Sequence, residues 1–151
     1  MFQYCVWFSL NREHYLSKLI LLLSSQLNTY PFQAHITIEK NLTYLEADHI
    51  YKHQCAITKP WFRISGNVYQ TSVTLGENIF YAIQQDYYMY DIKKLEYHVS
   101  LAYRLNTPFT KEEIALVQSK IKSDTIWSND IKVSLNDCRN MKFRQLKICL
   151  F

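Results

Sequence analysis

At 151 residues, 48% of them hydrophobic, the chain has the size of one compact domain spanning 1–151 and is too apolar to remain disordered. Its two glycines and three prolines exclude low-complexity linkers and a glycine-rich phosphate loop. A net charge of +4 falls short of the dense basic stripe of a nucleic-acid coat protein, and it suits either a solvated surface or a site for an anionic substrate.

Phe2 to Leu10 alternates large β-prone residues and predicts a strand. Asn11 is the expected N-cap of a first helix, because Tyr15, Leu16, Leu19, Ile20, Leu22, Leu23 and Leu27 then recur at helical spacing. Tyr30-Pro31 ends that stretch, since a residue before proline avoids the helical region. His35 to Glu39 predicts a short strand, and Thr43 with Glu46 forms a capping box for a second helix reaching about His53. From Lys59 to about Asp86 strands are expected around two turn signals, Ser65-Gly66-Asn67 and Gly76-Glu77-Asn78. Asp86 to Lys94 is polar and tyrosine-rich, and it is assigned to a loop whose Tyr87, Tyr88 and Tyr90 either stack on a base or pack on the domain. Leu95 to Leu105 predicts a strand, Thr110 with Glu113 caps a third helix, and Ile126 to Leu135 and Lys142 to Phe151 close the chain as strands. This order predicts an α+β fold.

Cysteines stand at 5, 55, 138 and 149 without the C-x-x-C spacing of a metal finger. Cys5 and Cys149 lie in apolar runs, where unpaired thiols act as small core residues, and this suits a reducing compartment. The N-terminus lacks the basic stretch of a signal peptide, and the longest apolar run, Leu19 to Leu23, is too short for a bilayer. The expected location is the cytoplasm, with no membrane partner and a monomeric state.

Two strands carry the pattern that points to chemistry. Ala34-His35-Ile36-Thr37-Ile38 and Tyr97-His98-Val99-Ser100-Leu101 each place a histidine two residues before a hydroxyl. Residues i and i+2 of a strand share a face, so each strand presents an imidazole beside a hydroxyl while Ile36, Ile38, Val99 and Leu101 face a core. Polar pairs on otherwise apolar strands need partners or a purpose. Cleaving a phosphodiester supplies one. A base must deprotonate the attacking oxygen, an acid must protonate the leaving oxygen, and histidine can do either near neutral pH. The hydroxyls can donate to the non-bridging oxygens, where charge gathers in the transition state. His35, Thr37, His98 and Ser100 are therefore the expected catalytic residues, with no metal ligands and no cofactor. His14, His49 and His53 lack the pattern and are expected on helices as surface or capping residues. Arg104 and Lys40, just beyond the two motifs, are either phosphate-attracting groups or solvated strand ends.

The paired motifs, flanked as PFQAHITI and YHVSLAY, resemble the 2H phosphoesterase superfamily, and most of all its cyclic nucleotide phosphodiesterases. The likeness in the order of elements runs along nearly the whole chain. It implies a two-lobed, pseudo-twofold fold of antiparallel sheets flanked by helices, with one histidine strand from each lobe at a central cleft. It also implies that Trp7, on the first strand, and Tyr103, three residues past Ser100, hold the nucleoside of the substrate. Serine at the second hydroxyl position, where other branches often carry threonine, points to the cyclic-phosphate branch.

The function expected on these grounds is metal-independent hydrolysis of a 2′,3′-cyclic phosphate or related cyclic nucleotide. One alternative is a phosphodiesterase for 2′,5′-linked or cyclic oligonucleotide second messengers, as in viral members of the superfamily that evade immunity. Another is a non-catalytic RNA-binding module, which would have no use for two proton-transfer groups.

Overall fold

A computed structural model of the chain describes residues 3–57, 60–89, 94–122, 125–139 and 144–148. The fold is α+β: among the described residues, one eight-stranded antiparallel sheet with three helices. In chain order the elements are β1 (Tyr4–Leu10), α1 (Tyr15–Gln26), β2 (His35–Leu42), α2 (Tyr44–Ala56), β3 (Phe62–Leu75) and β4 (Asn78–Met89). They continue with β5 (Lys94–Leu105), α3 (Lys111–Ser119), β6 (Thr125–Ile126), a 3₁₀ turn at Ser128–Asp130, β7 (Ile131–Asp137) and β8 (Arg144–Ile148). Across the sheet the order is β6-β3-β4-β5-β2-β1-β7-β8, so the two histidine strands, β2 and β5, are neighbours at its centre.

Period-two alternation divides the sheet into an apolar and a polar face. Val6, Phe8, Ile36, Val99, Leu101, Ile83, Val133 and Leu135 form the apolar face and are buried. Leu16, Leu19, Ile20 and Leu23 of α1, Ala47 of α2 and Val117 of α3 belong to the same core. Fully burying one such leucine contributes roughly 1.5–3 kcal/mol, so this packing holds the strands in register. Helix α1 lies against β5, α2 against β1, β2 and β7, and α3 against β3.

Both predicted capping boxes form. The Thr43 hydroxyl accepts from the Glu46 amide at 3.2 Å, and the Glu46 carboxylate accepts from the Thr43 amide at 3.0 Å. Thr110 and Glu113 repeat the pattern at 3.1 and 2.9 Å.

Several expectations are corrected. The N-cap of α1 is His14, not Asn11; its Nδ1 accepts from the Leu16 amide at 3.1 Å, while the Asn11 carbonyl accepts from the His14 amide in a turn before the helix. Ser65-Gly66-Asn67 is not a hairpin turn but a bulge inside β3, where the three residues between Ser65 and Tyr69 face the single residue Gln85 between Asp86 and Gln84 of β4. Gly66 takes φ 68°, and the carbonyls of Ser65 and Gly66 accept from the buried Gln85 amide at 3.0 Å each. The real turn is Gly76-Glu77, with Gly76 at φ 63° joining Leu75 to Asn78. The expected loop from Asp86 is strand as far as Met89. Tyr87 is fully buried in the core, Tyr88 is partly exposed, and Tyr90 lies outside the described residues. The strand expected over Ile126–Leu135 is divided into β6 and β7 by the 3₁₀ turn. Phe2, Lys142 and Phe151, at the ends of predicted strands, lie outside the described residues.

The unpaired-thiol expectation for Cys5 is also corrected: Cys5 forms a disulfide with Cys138. Cys5 pairs with Asn136 across β1 and β7, so alternation returns residue 138 to the Cys5 side, with the two Cα atoms 6.4 Å apart. The argument for a reducing compartment loses that support. Cys55 is half-buried, and Cys149 lies outside the described residues. Among the described residues no helix is long and apolar enough to cross a membrane.

Candidate active site

The strands β2 and β5 are antiparallel neighbours with Ile36 opposite Val99, both fully buried on the apolar face. Extending that register by one residue each way sets His35 across from Ser100 and Thr37 across from His98. All four residues then share the polar face of the sheet, each histidine opposite the other strand's hydroxyl. The structure thus brings these four residues onto one face. It could not be known from spacing alone which histidine would lie beside which hydroxyl across the strands.

His35 is 7% exposed. Its Nδ1 is 2.7 Å from the Gln33 carbonyl oxygen, which can only accept, so Nδ1 carries the proton and Nε2 is the basic nitrogen of the neutral ring. Burial pulls the His35 pKa down from 6.5 to about 4; the Gln33 bond partly opposes this and the charge of His98 adds to it. Trp7, opposite Thr37 on β1 and diagonal to His35, stacks on the imidazole with ring centroids 3.6 Å apart and planes 11° apart. At 3% exposure Trp7 is buried, and one face of its indole is covered by His35.

His98 is less enclosed. Burial lowers its pKa too, Asp86 opposes that shift, and Lys40 on exposed β2 backbone adds to it. The two imidazoles are thus held in different fields, one by a carbonyl and an indole, the other beside a carboxylate.

Ser100 is 4% exposed. It accepts from the Gln84 amide at 3.4 Å, Gln84 being its register partner on β4. Ser100 also hydrogen-bonds Tyr103, whose pKa burial raises and this bond lowers. In a regular strand residues i and i+3 face opposite ways. Here Ser100 pairs with Gln84 and Ala102 with Ile83, leaving Leu101 as an extra residue, and this bulge turns Tyr103 onto the face of Ser100. The Tyr103 ring packs against Phe32, centroids 4.9 Å apart.

Arg104 is committed elsewhere. It donates to both Glu113 oxygens at 2.8 and 2.7 Å and to the Leu27 carbonyl at 2.8 Å, and it holds the Glu113 pKa near 2, so it ties β5 to α3 and to the end of α1. His49 and His53 are exposed on α2, as expected.

Sequence reading missed Gln84, Asp86 and Tyr69. Asp86 stands opposite His98 on β4, and Tyr69 of β3 stands opposite Gln84. The Tyr69 hydroxyl lies 2.7 Å from an Asp86 carboxylate oxygen and 3.2 Å from the Gln84 side-chain oxygen. A signal was present: Gln84, Asp86 and Tyr88 continue the alternation of Ile83, Gln85 and Tyr87. It was hidden because Gln85, a polar residue, occupies the apolar face. Among the described residues no group of three or more His, Cys, Asp or Glu side chains is gathered to hold a metal ion. Comparison of the sequence with protein-family models and with curated proteins gives no match, so the functional reading rests on these residues and their geometry.

Proposed function

We propose that the protein is a phosphodiesterase that hydrolyses a 2′,3′-cyclic phosphate or a related cyclic nucleotide, with His35 as base and His98 as acid. The observation that carries this reading is the central register, Ile36 opposite Val99, by which two His/hydroxyl pairs interleave on one polar face. The sheet order supports the two-lobed, pseudo-twofold architecture of the 2H phosphoesterases: β6-β3-β4-β5 and β2-β1-β7-β8 are four strands each, and each run ends on a histidine strand at the centre.

In the proposed reaction the neutral His35 takes a proton from water through Nε2 as the water oxygen bonds to phosphorus. His98 gives its proton to the departing ribose oxygen as the P–O bond breaks. The products are a phosphomonoester, protonated His35 and neutral His98, and proton exchange with solvent restores the pair. Thr37 and Ser100 donate to the non-bridging oxygens. The bound phosphodiester supplies a negative charge that favours the protonated form of His98.

The test is a panel of 2′,3′-cyclic mononucleotides, 2′,5′-oligoadenylate and cyclic dinucleotides, with product phosphates located by ³¹P NMR. The expected result is a 2′- or 3′-monophosphate from a cyclic mononucleotide. His35→Ala and His98→Ala should each slow turnover by about 10²–10⁴. The pH profile of kcat/KM should be a bell, rising through about pH 4 as His35 deprotonates and falling below pH 6.5 as His98 does. Turnover retained in either alanine variant, or a folded wild-type protein inactive on the whole panel, would overturn the assignment.

A further inference from the structure

We infer that Asp86, anchored by the Tyr69 hydroxyl, is the positioning residue that makes His98 the proton donor of the pair. This inference rests on the phosphodiesterase reading and adds a residue pair that the two motifs do not contain. Asp86 of β4 is the register partner of His98, and directly opposed side chains have Cβ atoms about 4.5–5.5 Å apart. The carboxylate is not loose there, because Tyr69 reaches across from β3 and donates to it at 2.7 Å. The Tyr69 pKa is pushed up to about 12 by burial and by Asp86, so the phenol remains a donor throughout the working range.

The two imidazoles differ in this respect. His35 Nδ1 is bonded to the uncharged Gln33 carbonyl, and the ring is stacked on an indole. His98 has a carboxylate across the strand. Among the described residues packed beside β5, the charged and titratable groups acting on His98 are Asp86 of β4 with Lys40 and His35 of β2. Asp86 favours the protonated ring, whereas Lys40 and a protonated His35 oppose it. Asp86 is therefore the group that separates acid from base.

The chain Tyr69–Asp86–His98 crosses three adjacent strands, so sheet register holds it without any loop. Gln84, contacted by the same phenol, extends it to Ser100. One phenol thereby braces both the acid and one hydroxyl of the proposed site.

The experiment is a histidine-ring NMR titration of the full-length protein, wild type and Asp86→Asn, alongside the pH profile of kcat/KM on a 2′,3′-cyclic mononucleotide. Asn keeps an oxygen for the Tyr69 hydroxyl, so it removes the charge and little else. The His98 midpoint should fall by about one unit while that of His35 moves less. The alkaline limb of the bell should fall with it, lowering kcat/KM at pH 7 about tenfold. Asp86→Glu should recover part of both. A folded Asp86→Asn protein with an unmoved His98 midpoint, or an unmoved alkaline limb, overturns the inference. If that variant does not fold, wild type still decides, because a His98 midpoint at or below that of His35 refutes the assigned roles. A shifted midpoint in a protein inactive on every phosphodiester overturns the acid role together with the phosphodiesterase reading, and leaves only the electrostatic pairing.

Discussion

The burial of His35 carries a measurable stability consequence. Its pKa falls from 6.5 to about 4 in the folded protein, so the folded state resists protonation that the unfolded chain accepts. Above pH 6.5 both states are neutral and the full stability is present. As pH falls from 6.5 towards 4 the unfolded chain takes up the proton first, and stability is lost through that window; below 4 both states are protonated and the loss stops. A shift of about 2.5 units at 1.36 kcal/mol per unit is about 3 kcal/mol, a large part of an ordinary domain's stability. Exposure of 7% leaves little solvent to screen the effect. The assay is urea unfolding of wild type and His35→Asn at pH 7 and pH 4. Carboxylates and the other histidines titrate in both proteins, so the difference of differences isolates His35. Wild type should lose about 3 kcal/mol more than the variant over that interval. Parallel losses would mean that His35 is solvated, and the buried neutral base would have to be given up.

Two further outcomes concern the residues around the imidazoles. Thr37→Val and Ser100→Ala should each lower kcat by about 10²–10³ with a smaller change in KM, because the hydroxyls are proposed to donate where charge develops; steady-state kinetics that show only a raised KM would count against this. Trp7 stacks on His35, so Trp7→Leu should depress kcat on nucleotide and base-free phosphodiesters alike, whereas Tyr103→Ala should weaken nucleotides more than base-free substrates; a nucleotide-only loss for Trp7→Leu would return the indole to nucleoside binding.

Local pattern was legible where a short stretch of chain determines it. Thr43 with Glu46 and Thr110 with Glu113 reach no further than one helical turn, and the H-x-[ST] strands needed only period two. What was hidden depends on residues distant in sequence. Ser65-Gly66-Asn67 has the residue types of a turn, yet the strand continues, since Gln85 reaches over from β4 to satisfy the Ser65 and Gly66 carbonyls at the bulge. The same Gln85 interrupted the apolar alternation and made Asp86 look like the start of a loop. Cys138 shows no link to Cys5 in spacing; the β1/β7 register creates it. Asn11 has the better N-cap residue type, but His14 supplies an acceptor nitrogen one residue before the helix.

The proposed chemistry depends on the apolar side of the sheet. Because the side-chain period is two, a slip of one residue between β2 and β5 would turn one His/hydroxyl pair into the core and bring an apolar pair to the polar face. Ile36, Val99 and Leu101, all nearly without exposure, make that slip costly, since polar groups driven into the core would lose water without gaining partners. Leu101 has a second effect as the extra residue of the β5 bulge. It stays in the core while the strand beyond it changes phase, and so Tyr103 joins Ser100 three residues on. The spacing of the polar residues is thus set by apolar ones. The same core that holds β2 against β5 determines which hydroxyl stands opposite which histidine.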